Sequence, residues 1–531
     1  MVKKIRYFLI SMILLILGLL FLFTRNYQET IGGKILSEVE IQKIQQKYEQ
    51  NQELEVKILY NDYEIPYDVD RELFYFPLEN HHLVNKLKFQ LMNSEQKIYW
   101  SDDIFWKDLD EAIENSHKFI FYVIDGNQYK YGELVFTGLP MMNLNRVAEG
   151  SNSINYKMDL FDPFSDQSNV YRITNSYAYC EVRGHTSLGF PKLNYNLNLY
   201  TQKEKPNDQS LLGLRSDDDW KLNALYSDGS RVREAVAVTL WNEIAETTPE
   251  PYDNGANFRY MELMIDGHYQ GIFGLLEQID FKQLNIDKNK DILYKGTYFI
   301  SDENKSLQDL GNRIEFCGQI IKTGNRMLSE ELWNPMIEYV TMMEFFDGSQ
   351  MEGKESEIWD YITKYMNSEN LFNFDLYVQA IHGIDNAYKN QYIAAVMDGK
   401  GQYMLWKSPW DLNYCFGDKY DSENDLLTSY NLDDHTKIMN KYMLSTYLLN
   451  SKHSQAKDVI KNQWNMLRKN ILTTAHVEEL AEKFSEKLED SGAVLRETDQ
   501  WSESIREDSK TELVAYFEQR VEFLDSYYNS F

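Results

Sequence analysis

The chain has 531 residues, and its 54 Lys+Arg stand against 83 Asp+Glu, a formal charge of -29 at pH 7. So acidic a surface repels polyanions and anionic headgroups, which excludes nucleic acid as a partner and a domain laid flat on a membrane. The length buries a large core and accommodates roughly three average domains, or one large catalytic domain with an accessory part.

The first segment, MVKKIRYFLISMILLILGLLFLFTR, sets Lys3, Lys4 and Arg6 before an uncharged, apolar run over 7–24. Such a run, at about 1.5 Å per residue, just crosses a hydrocarbon core. Phe21, Leu22 and Phe23 lead directly into Arg25 and Asn26, with no small-x-small cleavage site. Residues 1–30 therefore read as an uncleaved signal anchor: a single-pass cell-membrane protein, its tail cytoplasmic and its body extracytoplasmic. The polar, Gln- and Glu-rich stretch over 31–53 reads as a stalk. Over 54–144 short alternating runs such as VKILYND and KFIFYVIDGNQYKYGELVFTG predict a β-rich accessory region. The next residues, to about Tyr171, are polar and irregular and mark a boundary.

Strand candidates YAYCEVRG, LNYNLNLY and FRYMELMIDGHYQGIFGLLEQID follow, the last a hairpin turned by Asp266 and Gly267. Among them SRVREAVAVTLWNEIAE has Val232, Val236 and Leu240 at helical spacing, with Ser230 placed to cap it. From about Leu328 the pattern is mostly helical. Strands with one helix, then a large helical part, is the order of a bilobal kinase-like fold. The three cysteines, Cys180, Cys317 and Cys415, have no paired spacing and read as buried small hydrophobes.

Two aspartates stand among apolar and aromatic neighbours, where a carboxylate is costly. Asp385 lies in HGIDNAYKNQYIAA, five residues before Asn390, and Asp411 lies in LWKSPWDLNYCFGD. Protein kinases use that aspartate-to-asparagine interval to orient the acceptor hydroxyl and to hold Mg2+. Between the two aspartates, NQYIAAVM and GQYMLWK flank the turn DGK, a hairpin of the kind that leads from the catalytic to the metal-binding aspartate. Upstream, Arg183, Gly184, Thr186, Ser187, Gly189 and Lys192 lie in EVRGHTSLGFPKLNYNLNLY, where glycines and small hydroxyls let backbone N–H groups approach phosphate. The loop is not a Walker A motif, since Phe190 and Pro191 follow its second glycine. The acids of RSDDDW (215–220) read as a solvated loop, and His382 as a packed histidine.

Together, RGHTSLGFPK, SDGSRVREAVAVTLWNEI, MELMIDGHYQGIFGLLEQI, the D-x4-N interval and PWDLNYCFG resemble the CotH kinase family, named for a bacterial spore coat protein H kinase, from about Leu139 to near the C-terminus. The resemblance implies an α+β, atypical protein-kinase-like bilobal fold over 145–531, with an N-lobe at about 172–280 and a C-lobe at about 328–531. It implies ATP with Mg2+ or Mn2+, and protein Ser or Thr as acceptor. It places Asp385 as catalytic aspartate, Asp411 with Asn390 at the metal, Glu277 at the end of the nucleotide-binding strand, and Arg233 at a recurrent helix-start arginine. Two departures stand out: Leu193 and Asn196 occupy positions where the family commonly has basic residues. They keep open two alternatives, an inactive surface-anchored scaffold, or transfer of another group such as AMP.

Overall fold

The computed structural model describes residues 32–78, 87–101, 109–148, 153–163, 172–248, 255–297, 306–344, 353–387, 389–417, 443–505 and 509–531. The apolar run at 7–24 lies outside them, and no described helix is long and apolar enough to cross a membrane.

The accessory region is a mixed sheet ordered Lys34–Leu36, Lys97–Ser101, Lys118–Asp125, Gln128–Thr137, Leu73–Pro77 and Tyr67–Asp68. Its alternating apolar residues bury Phe74, Phe76, Trp100, Phe121 and Phe136 in one core. The stretch expected as a stalk belongs to this sheet. Lys34–Leu36 pairs in parallel with Tyr99–Ser101, and Glu49–Gln50 pairs with Gln128–Tyr129. Leu36 and Ile44 supply the apolar anchor, packing with Tyr122, Ile124 and Tyr129.

The next seven strands close a barrel: β1 (Met141–Arg146), β2 (Tyr156–Asp162), β3 (Arg172–Arg183), β4 (Asn194–Tyr200), β5 (Asp219–Asn223), β6 (Phe258–Ile265) and β7 (His268–Glu277). Its order is β1-β2-β3-β4-β5-β7-β6, and β6 returns to pair in parallel with β1. The unit thus begins at Met141, and Tyr156–Asp162 is a strand inside the segment read as an irregular boundary. Side chains alternate: Leu197, Leu199, Trp220, Leu222, Phe273 and Leu275 fill the interior, so Glu181, Arg183, Asn196 and Lys221 point outward.

Helix α1 (Arg233–Glu246) lies on the outer face of β6 and packs on α2 (Ser368–Ile381), where the Tyr377 hydroxyl donates to the Ala237 carbonyl at 2.7 Å. Beyond the barrel a second sheet runs β9-β10-β8-β11-β12, with β8 Ile292–Gly296, β9 Glu315–Phe316, β10 Gln319–Lys322, β11 Gln391–Met397 and β12 Tyr403–Pro409. The expected hairpin around Asp398–Gly401 is its β11-β12 pair. Gln278, just past β7, ties barrel to sheet by donating to the Tyr392 hydroxyl at 2.7 Å. All three cysteines are buried, and none forms a disulfide among the described residues.

Helix α3 (Ala493–Gln500) locks the C-terminal part to the barrel with two adjacent residues of opposite charge. Arg496 makes a two-pronged contact with Glu262, Nε and Nη2 each at 2.8 Å. Glu497 takes Lys192 at 2.7 Å, Arg231 at 2.9 Å and the Ile272 backbone N–H at 2.7 Å. All these side chains are buried, and such pairs are indispensable once formed, because removing one partner strands the other in low dielectric. Glu497→Ala, which leaves two buried cations unpaired, is expected to cost about 3–5 kcal/mol in urea unfolding. Glu479→Gln, at a side chain 78% exposed, is expected to change stability by less than about 0.5 kcal/mol.

Candidate functional site

The β11-β12 hairpin places the two aspartates. Gln391 pairs with Pro409 at one end of the ladder, so Asn390 just before β11 and Asp411 just after β12 are neighbours. The Trp410 N–H donates to the Asn390 carbonyl at 2.9 Å, and the Asn386 side-chain amide bridges the Asn390 and Trp410 carbonyls at 2.9 and 2.8 Å. Asp385 opens the one-turn helix Asp385–Ala387, one-quarter exposed, and its carboxylate meets Lys389 at 3.0 Å. His382, Asn390 and Asp411 all have positive φ, at 56°, 50° and 59°. Non-glycine residues hold that conformation where surrounding contacts over-determine it, which happens often at functional sites.

Facing this end is Glu234, in the first turn of α1. The sequence reading put Ser230 at the helix cap; the carboxylate of Asp228 does that work instead. It accepts from the Arg233 N–H at 2.8 Å and the Ser230 hydroxyl at 2.6 Å while pairing with the Arg233 guanidinium at 2.6 Å. Burial opposes that charge, but Arg233 and Ser230 hold Asp228 below the usual carboxylate range. Arg233 is thereby engaged in the turn, with Ser509 as a further partner at 2.7 Å, and α1 begins with Glu234 turned to the cleft. Glu234 accepts from the Asn223 amide at 2.7 Å, and its second oxygen is buried with no hydrogen-bond partner among the described residues. With Asp411 and Trp410 it lines a cavity of about 10 Å³, room for one water-sized occupant. Burial pushes the Glu234 carboxyl up to about 7, the nearby charge of Asp411 adding to the rise.

Cations occupy the remaining walls. Arg183 lies at the end of β3, Lys221 on β5, Lys295 on β8 and Lys322 on β10. Lys221 is directly opposite Asn196 in the ladder and Asn196 opposite Glu181, so the three share the barrel's outer face. Burial lowers Lys221; Asp219, at 2.6 Å, pulls it back up, and the fields of Arg183 and Lys322 lower it further. Lys295 is lowered by burial and then by Lys322, Arg183 and Lys221, against the pull of Asp411. Lys221 and Lys295 thus sit in the field of the other cations, with Asp219 and Asp411 as the nearby counter-charges. Arg183 has two buried nitrogens, Nε and Nη2, without a hydrogen-bond partner among the described residues.

Comparison with protein-family models matches residues 180–530, about two thirds of the chain, to the CotH kinase protein family. The chain belongs to the CotH kinase family. Comparison with curated proteins finds no significant match. Membership carries kinase-like chemistry and, in general terms, ATP and a divalent metal. The residues fit that pair. Oxygen donors Asp411, Asn390 and Glu234 are the ligands a hard divalent cation takes, and the unpartnered Arg183 nitrogens with three lysines suit phosphate.

Other residues expected at the site are placed elsewhere in this CotH kinase chain. Lys192 is spent in the Glu497 lock and buried under β7. Glu277 is buried and accepts from the backbone N–H groups of Arg215 and Asn257 at 2.9 and 3.0 Å. Gly184, with φ 119°, and exposed Thr186 and Gly189 form the open β3-β4 turn, while Ser187 accepts from the Asn194 amide at 3.1 Å. Beside that turn Phe190 packs tilted against Tyr226, which meets Trp501 edge to face. His382 is buried against Tyr516, as a packed histidine. In RSDDDW, Asp217 is buried and paired with Arg215, so that acid is structural and not part of a solvated loop. Nothing in the sequence alone singles out Glu234, Lys221, Lys295, Lys322 and Asn386: Glu234 lies beside Arg233 in SRVREAV, and Lys295 and Lys322 belong to strands assembled only by the second sheet.

A raised carboxyl makes a signed prediction. The folded protein retains the Glu234 proton over a range where the unfolded chain has lost it. Stability therefore falls as pH rises from about 4.5 to about 7. Glu234→Gln removes this slope. In metal-free buffer its stability relative to wild type should increase by about 2–3 kcal/mol between pH 4.5 and 7.5, measured by chemical unfolding; a pH-independent difference would show that folding leaves the Glu234 carboxyl unshifted.

Proposed function

We propose that this chain is a membrane-anchored protein kinase that transfers the γ-phosphoryl group of ATP to Ser or Thr hydroxyls of protein substrates. One observation carries the reading: Asp385, Asn390 and Asp411 are set at one end of a hairpin, opposite Glu234 and a cluster of Arg183, Lys221, Lys295 and Lys322. Such a cluster, only partly neutralised by Asp219 and Asp411, attracts a polyanion. The barrel with α1 and the second sheet with its helices are the two lobes of a kinase-like fold, and the anchor at 1–30 puts them outside the cytoplasm.

In this mechanism Asp385 accepts the hydrogen bond of the attacking hydroxyl and takes its proton. The new O–P bond forms as the bond from the γ-phosphorus to the bridging β–γ oxygen breaks, and ADP leaves. Arg183, Lys221, Lys295 and Lys322 neutralise the phosphate oxygens as charge moves onto the leaving group. Asp411, Asn390 and Glu234 would hold the divalent ion, which when bound neutralises the phosphates further. Lys221 answers the departure at Asn196: the positive charge absent there is supplied by its cross-strand neighbour. The open Gly184–Gly189 turn covers the nucleotide from the barrel side.

The test is full-length protein with labelled ATP, Mg2+ or Mn2+ and a mixture of acceptor proteins. Asp385→Ala should lower transfer about 10²–10⁴-fold. Lys221→Met should raise the KM for ATP about 10-fold or more. Intact mass of the product should increase by about 80 Da for phosphate. Activity unchanged in Asp385→Ala, or a larger adduct matching AMP, would refute the reading.

A further inference from the structure

At the far end of β12 from Asp411, the second sheet meets helices Asn334–Glu344 and Glu355–Tyr365 around a cavity of about 200 Å³. Whole small molecules occupy pockets of about 300–1,000 Å³, so this one suits a single long side chain. Three of its nine lining residues are tyrosines, Tyr361, Tyr365 and Tyr403, and exposed Glu338 is another of the nine. The Tyr361 and Tyr365 rings are 5.2 Å apart and tilted by 36°. Tyr361 is only 7% exposed, yet its hydroxyl has no hydrogen-bond partner among the described residues. A buried phenol without a partner is costly, and a donor entering the cavity removes the cost.

Aromatic faces beside a carboxylate select a cation. The ring face attracts positive charge, and the acid supplies a counter-ion. The chain itself illustrates the affinity, because the exposed Lys364 ammonium lies 4.6 Å from the centre of the Tyr365 ring. The charge of -29 draws basic segments toward the surface generally. We infer that this tyrosine-lined cavity binds a lysine or arginine side chain of the protein substrate, a docking site remote from the phosphoryl-transfer cleft. The inference rests on the kinase reading only for the word substrate; the cation site stands on its own geometry.

The fold also sets a spacing. From Tyr403 to Pro409, beside the cleft, the strand covers six steps of about 3.3 Å, or roughly 20 Å. An extended peptide joining the two places therefore needs at least about six residues between its basic side chain and the acceptor hydroxyl.

The experiment is fluorescence anisotropy of a dye-labelled tetraarginine peptide with the full-length protein, without nucleotide or metal, at low and at physiological salt. Tyr365→Leu preserves net charge but removes one aromatic wall, and should weaken binding about five-fold; Glu338→Gln should weaken it similarly. Asp385→Ala should bind as wild type does, so failure of catalysis and failure of docking are read separately. Equal affinity for wild type, Tyr365→Leu and Glu338→Gln would overturn the inference, attributing binding to general charge. Unequal affinity in an inactive protein would uphold the cation site and refute only the kinase reading.

Discussion

Glu497 holds the architecture together. One carboxylate, on a two-turn helix near the C-terminus, takes Lys192 from the loop leading into β4, Arg231 from the turn before α1 and a backbone N–H from β7. Its neighbour Arg496 clamps Glu262 on β6. Four places on the barrel are thereby fixed to a segment more than 200 residues distant in the chain. The turn that starts α1 is among them, and it aims Glu234. Such ion pairs add little against a well-packed apolar alternative, but they are directional. A greasy contact could slide, whereas these cannot without abandoning a buried charge.

That rigidity explains how like charges are tolerated in the cleft. Arg183, Lys221, Lys295 and Lys322 come from two different sheets, and Asp411 and Glu234 from a hairpin end and a helix start. Free side chains would splay apart to relieve the repulsion. Here the strands hold them, and burial shifts Lys221 and Lys295 toward neutrality and Glu234 toward protonation. A polyphosphate bound there would draw the lysines back toward their charged forms, and a divalent cation would do the same for Glu234. Preorganised charge of this kind is a general source of catalytic power, because nothing needs to reorient during reaction.

The hairpin that carries the proposed catalytic end is legible in the sequence because it is local. Asp385, Asn390 and Asp411 sit within one hairpin and its flanks, and alternation plus a DGK turn specify a hairpin from short-range pattern alone. The Asp266-Gly267 hairpin was legible for the same reason. The cation wall was not, since Lys221, Lys295 and Lys322 become neighbours only through pairing between strands far apart in sequence. Lys192 misled for the opposite reason. Adjacency to a glycine loop marks a phosphate ligand when nothing competes for the charge, and its competitor lay 305 residues downstream. The 31–53 segment read as a stalk because its polar composition outweighs a few apolar residues. Leu36 and Ile44 nonetheless suffice to pin it, since the sheet offers an apolar face to receive them.

In the proposed function the cationic cluster and the facing carboxylates form one site for a metal-bound nucleoside triphosphate. Isothermal titration calorimetry of ATP with Mn2+ into the full-length protein tests it most directly. The account predicts a single site, weakened about 10-fold or more by Lys295→Gln and again by Asp411→Asn, with ATP binding more tightly when Mn2+ is present. Absence of binding at millimolar nucleotide, or binding unchanged in both variants, would contradict it.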